Sequence, residues 1–206
     1  MPCKVIDFYK IIFISIATLL FFSSSFAQQT HNNKMKKNNE TENIVPSWNK
    51  AVRISPKAFV MQTIGVKDIS VSYSRPGVKG RRIWGGLVPY DKVWRTGANE
   101  ATKFVFASDV LINGKKLPAG SYSFFAIPTK TNWTLIFNKV ADQWGAFEYN
   151  QAEDAMRFTV KPEQNEFTEW LEYTFSDMKV NKDGKNSAVV NLIWEKLRVP
   201  FTIEVQ

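Results

Sequence analysis

The chain is poor in the residues that carry most hydrolytic and redox chemistry. Its 206 residues hold one cysteine, Cys3, and one histidine, His31. Both precede residue 48, where the patterned part of the sequence begins. Beyond that point no Ser-His-Asp or Cys-His arrangement, no thiol redox pair and no zinc site built on His or Cys can be assembled. Phosphate-binding glycine motifs and calcium loops of closely spaced Asp residues are missing too, so the expectation is no metal and no cofactor. A single cysteine forms no intrachain disulfide, and stability has to come from apolar burial. Long amphipathic helices are also lacking. At most a turn or two is expected near Asn150–Ala155.

Apolar and basic residues are plentiful. Aromatic residues make up 14% of the chain, enough to build a core without crosslinks, and the net charge is +8. Such a charge favours anionic partners without naming one. At the N-terminus Lys4 and Lys10 precede an apolar run, Ile11–Phe22, followed by small residues with Ser25 and Ala27 at the two positions a signal peptidase reads. The run is shorter than the roughly 18–20 residues that span a bilayer. The expectation is a signal peptide over residues 1–27, cleaved after Ala27, and a periplasmic or secreted protein with no transmembrane anchor after processing. Export argues against a nucleic-acid partner. Residues 28–47 (QQTHNNKMKKNNETENIVPS) have almost nothing to bury and read as a disordered tether. Residues 48–206 read as one domain.

Within that domain apolar and polar residues alternate in short runs. Ile69, Val71 and Tyr73 share one face, as do Leu171, Tyr173 and Phe175, and Leu197, Val199, Phe201, Ile203 and Val205. Asn113-Gly114 is a two-residue hairpin signal between Val110–Ile112 and Lys115–Leu117. Nine or ten short strands separated by turn residues predict an all-β fold, an antiparallel β-sandwich with a closed barrel as the alternative.

The stretch from Tyr73 to Thr102 breaks this pattern. It carries five glycines, Trp84, Trp94 and a high density of Arg and Lys. A long loop of that composition between strong strands is a binding surface or a packed structural loop. The candidate ligand-binding residues are Arg75, Trp84, Tyr90, Trp94, Arg95, Asn99 and Glu100, with Trp144 from a second irregular segment. Indole faces suit sugar rings, and Arg, Asn and Glu suit their hydroxyls; the same tryptophans could instead plug the open end of a sandwich. Arg75, Lys79, Arg81 and Arg82 meet no acid between Ser74 and Tyr90, which suits an anionic ligand or a solvated rim. Glu100 and Asp91 are the weak catalytic candidates, because carboxylate chemistry of the glycosidase kind needs only two acids. Glu100 is expected to pair with an arginine, Arg95 or Arg75, near the mouth of the sandwich.

The runs Tyr73-Ser74-Arg75-Pro76, Lys79-Gly80-Arg81, Gly85–Tyr90, Val93–Thr102, Leu117–Ser123 and Trp133–Asn138 resemble a family of exported bacterial proteins catalogued as domain of unknown function 2911. The resemblance runs from about Ala58 to the C-terminus and rests most on Trp94–Thr102. It implies an exported domain within those limits, and it brings no activity and no catalytic residues. Three functions stay open: a non-catalytic binding module for a glycan or another polyhydroxylated or anionic ligand, a carboxylate-dependent hydrolase, and a structural or assembly protein of the cell envelope.

Overall fold

Alternating β-branched and aromatic residues cut by Gly, Pro and Asn-Gly leave an antiparallel strand as the natural local structure. The computed structural model describes residues 52–182 and 184–205; the expected signal peptide and tether lie outside them. Ten strands form: β1 (Lys57–Ile64), β2 (Lys67–Ser74), β3 (Thr102–Phe106), β4 (Val110–Ile112), β5 (Lys115–Leu117), β6 (Gly120–Pro128), β7 (Trp133–Asn138), β8 (Asp154–Val160), β9 (Glu163–Lys179) and β10 (Asn186–Val205). A 3-10 turn at Gln151–Glu153 is the one helical element among the described residues, where the sequence suggests a turn or two. The strands form two sheets, ordered β1-β2-β3-β6-β7-β8 and β5-β4-β10-β9, with every pairing antiparallel. The sheets stay separate, so the fold is a β-sandwich and not a closed barrel.

The alternation sets the faces as read. Ile69 and Val71 on β2 and Ile203 on β10 are fully buried. Between the layers, Phe104 (β3), Phe124 (β6) and Phe137 (β7) meet Phe201 (β10) and Tyr173 (β9). Phe104 and Phe124 have centroids 4.9 Å apart, and Phe124 and Phe201 5.6 Å. Tilted and edge-on contacts of this kind add about 0.5–1.5 kcal/mol each beyond the area they bury. The Asn113–Gly114 hairpin forms between β4 and β5 with both turn residues at positive φ.

Two elements exceed what the sequence shows. The apolar alternation marks only Phe167–Phe175, yet β9 runs from Glu163 to Lys179 because β10 offers ladder partners at both ends, Arg198 to Glu163 and Ser187 to Lys179. Ladder hydrogen bonds are made by the backbone and do not require an apolar side chain. β10 joins two runs that look separate in sequence, Ala188–Trp194 and Leu197–Val205. Its halves are not collinear. Asn186 and Ser187 share a surface hollow with Thr202 and Glu204, residues that a straight strand would hold about 50 Å apart. The bend falls at Glu195, with φ 56. The buried parity changes there, from Ala188, Val190, Leu192 and Trp194 to Val199, Phe201, Ile203 and Val205.

Candidate functional site

The long loop is fastened to the sandwich along its length. It leaves β2 by closing the outer edge of β9. The Leu171 N–H donates to Pro76 O (3.1 Å) and the Val78 N–H to Glu169 O (2.8 Å). Arg75 adds its Nε–H to Leu171 O (2.8 Å) and an ion pair with Glu172 (3.2 Å). These contacts occupy backbone groups that an open edge would offer to another chain. A tight turn follows, closed by the Arg81 N–H on Val78 O (3.0 Å). The chain then knots through Arg82–Val88, with the Leu87 N–H on Arg82 O and the Val88 N–H on Ile83 O. Gly86 is obligatory in that knot, since a Cβ there would lie 2.5 Å from Arg82 O. Further on, Trp94 exchanges both backbone hydrogen bonds with Ala126 of β6, each 2.8 Å long.

This path carries Trp84 and Trp94 inward. With Trp133 of β7 and Trp194 of β10 they make a four-indole cluster whose contacting centroids lie 4.8–6.2 Å apart. Trp94 is 8% exposed and donates its indole N–H to Gly97 O (3.2 Å). The cluster plugs one end of the sandwich. Trp144 stands apart from it, 58% exposed beside Gly145. The three tryptophans therefore do not form a common platform. Tyr90 lays its ring against Gly85, where a Cβ would come within 2.6 Å of it.

Glu100 pairs with a cation, but not with Arg95 or Arg75 as the sequence suggested. Its partners are Arg53 (2.7 Å) and Lys57 (3.2 Å). The reason is topological. β1 runs antiparallel to β2, so the segment before β1 returns beside the end of β2, where the Arg75 N–H donates to Pro56 O (2.8 Å). Arg75 is meanwhile spent on Glu172 and β9. Partial burial pushes the Glu100 carboxyl upward, but hydrogen bonds from Arg53, its own backbone N–H and Lys57 prevail and hold its pKa at about 2. The side chain is 35% exposed, so solvent screening discounts the pair, and Glu100→Gln should cost about 1 kcal/mol rather than the 3–5 of a fully buried pair. The folded pKa lies below the unfolded value of roughly 4.3. This stabilisation is therefore complete above about pH 5 and is lost as pH falls towards 2. Urea midpoints at pH 7, 4.5 and 2.5 should fall more steeply for the parent than for Glu100→Gln; parallel curves would remove Glu100 from the acid response.

Between the loop and residues 54–55 lies a cleft of about 300 Å³. Lys79, Arg81, Arg95 and Asn99 line it, with Leu87, Val88, Trp94 and Trp194 as apolar wall, and no carboxylate contributes among the described residues. Arg81 is braced by its own turn, Nε–H to Val78 O (3.1 Å) and Nη2 to Gly77 O (2.6 Å). Glu169, which borders Gly77, has its Oε1 taken by the Lys79 N–H (2.9 Å). Arg95 is different. Its Nε is buried without an acceptor, and it has no ion pair among the described residues. Desolvation pushes its pKa down.

Strain surrounds this arginine. Thr96 has φ 53 and Asn99 φ 57. Asn tolerates that region, but a β-branched residue does so only when held there. Thr96 is held by its hydroxyl on Phe124 O (2.9 Å), while its carbonyl accepts from Thr102 Oγ1 (3.1 Å) and Tyr173 Oη (3.2 Å).

Of the candidates from sequence, the cleft gathers Trp94, Arg95 and Asn99. Arg75 fastens the loop, Glu100 anchors the segment before β1, Trp84 packs in the indole cluster against β7 and β10, Tyr90 packs on Gly85 within the loop, and Trp144 is at the surface. Asp91 is exposed, with its N–H on Pro128 O (2.9 Å). Ile54, Ser55 and Trp194 complete the cleft from distant positions that carry no local signal.

The fold and cleft define a β-sandwich whose candidate site is built by one long interstrand loop across the end of the sheets. The chain belongs to the family of proteins of unknown function DUF2911, whose model matches residues 55–203. Of the described residues that line the cleft, only Ile54 falls outside that span. No curated protein and no solved structure matches the chain.

Proposed function

We propose that this domain is an exported, non-catalytic binding module that takes a small polar ligand in the cleft under the long loop. The observation that carries the reading is Arg95. A partly desolvated cation with a buried, unused donor is costly to keep, and an acceptor on a ligand would relieve that cost. A ligand that binds only the folded state raises its stability, by about 2.7 kcal/mol at a hundredfold excess over Kd. Thermal unfolding against a panel of organic anions and oligosaccharides should reveal such a rise. Arg95→Ala should weaken the binding about 10- to 100-fold, the worth of a hydrogen bond to a charged group. A ligand that protects parent and Arg95→Ala equally binds elsewhere.

A carboxylate-dependent hydrolase has less support. Glu100 is held ionised near neutral pH and has no proton to give as a general acid. Export rests on Lys4–Ala27 and is checked by N-terminal sequencing of native protein, expected to begin at Gln28; a retained Lys4–Phe22 would overturn it.

A further inference from the structure

The donors and acceptors in the cleft are unequal. Arg81 has its guanidinium held by the Val78 and Gly77 carbonyls and Arg95 has its Nε buried without an acceptor. Neither has a carboxylate partner among the described residues, and Lys79 has its ammonium 5.6 Å from the centre of the Trp170 ring. Asn99 makes one long contact from its Nδ2, 3.5 Å to Ser55 O. Among the described residues no carboxylate lines the cleft to accept from a ligand hydroxyl, and of their lining side chains only the Asn99 amide and Ser55 hydroxyl oxygens can do so. A neutral sugar brings one O–H donor with every hydroxyl and would meet few side-chain acceptors among these lining residues. Carboxylate and phosphate groups only accept, and they match guanidinium donors directly. Ile54, Pro76, Leu87, Val88, Trp94 and Trp194 supply the apolar part of the lining, and the volume lies at the small end of ligand pockets.

We infer that the cleft selects a compact organic anion, a carboxylate or phosphate group on an apolar body, over a neutral glycan. This rests on the cleft being the binding site. The three cations hold the headgroup, while Ile54 and Leu87, the exposed apolar side chains of the lining, receive the body.

Titration calorimetry with benzoate, phenyl phosphate, inorganic phosphate, benzyl alcohol and a neutral oligosaccharide tests it. Benzoate and phenyl phosphate share a ring and differ in headgroup, so their ratio tells carboxylate from phosphate. At least one of the two should bind, more weakly as salt rises, and inorganic phosphate and benzyl alcohol should each bind at least about 10-fold more weakly. Arg95→Ala should weaken the bound anion about 10-fold or more. Lys79→Gln, whose side chain holds no backbone group in place, should weaken it in the same direction without moving the thermal midpoint. If the oligosaccharide binds in an Arg95-dependent way and the anions do not, the cleft stands and the anion inference fails. If nothing binds, or if Arg95→Ala changes nothing, the cleft reading fails with it.

Discussion

Trp94→Ala should lower the stability of the domain by about 3–5 kcal/mol, the range for removing a large aromatic side chain from a core. Trp94 touches Trp84, Trp133 and Trp194, and its indole N–H closes the turn at Gly97. The ring sits between the loop and both sheets, so neighbouring backbone cannot collapse to fill the space. A urea titration should show the midpoint falling sharply, while Trp144→Ala, at an exposed position, should stay within about 0.5 kcal/mol of the parent. A Trp94→Ala protein within 1 kcal/mol of the parent would contradict the plug.

The second large effect is expected at Asn138. Its side chain is fully buried and makes four hydrogen bonds. Nδ2 donates to Asn150 O and Asp154 Oδ1, both at 2.9 Å, and Oδ1 accepts from the Val140 N–H and Gln143 Nε2, both at 3.1 Å. Leucine has nearly the same shape and satisfies none of them. Each polar group left unsatisfied costs about 1–3 kcal/mol, so Asn138→Leu should cost about 3 kcal/mol or more. The damage should also be local, because Asn138 ties down both ends of the 139–153 segment. Limited proteolysis of the variant under native conditions should cut first within that segment. The Gly145 N–H donates to Asn99 O (3.0 Å), so a loosened segment should disturb the cleft as well. Uniform loss of stability without preferential cutting would mean that Asn138 acts as generic core.

The strands were legible because burial on one face writes a two-residue period directly into the sequence, and β2, β3 and the end of β10 follow it. Strand ends were less so, because polar residues at the tips of β9 join the ladder through backbone bonds that leave no mark on composition. The loop was recognisable as special from its Gly, Trp and Arg content, and Asn99 takes the positive φ its side chain tolerates. What escaped is long-range pairing. Glu100 needed a cation, but nothing local says that it would come from Arg53, 47 positions away and before the first strand. Arg95 could be singled out as a charge, yet its isolation is a property of the packed state. Trp194 had the parity of a core residue and gave no hint that it would meet the loop tryptophans and line the cleft.

The indole cluster also makes the protein its own optical probe. Four clustered tryptophans exchange excitation energy and share one environment, so they should respond as a unit, with near-ultraviolet circular dichroism dominated by coupled indoles and emission shifted to the blue. Trp144 and Trp170 are exposed and should emit to the red, within reach of acrylamide. Trp94 and Trp194 belong to the cluster and to the wall of the cleft. Occupancy of the cleft can thus be followed without a label as a change in the blue component.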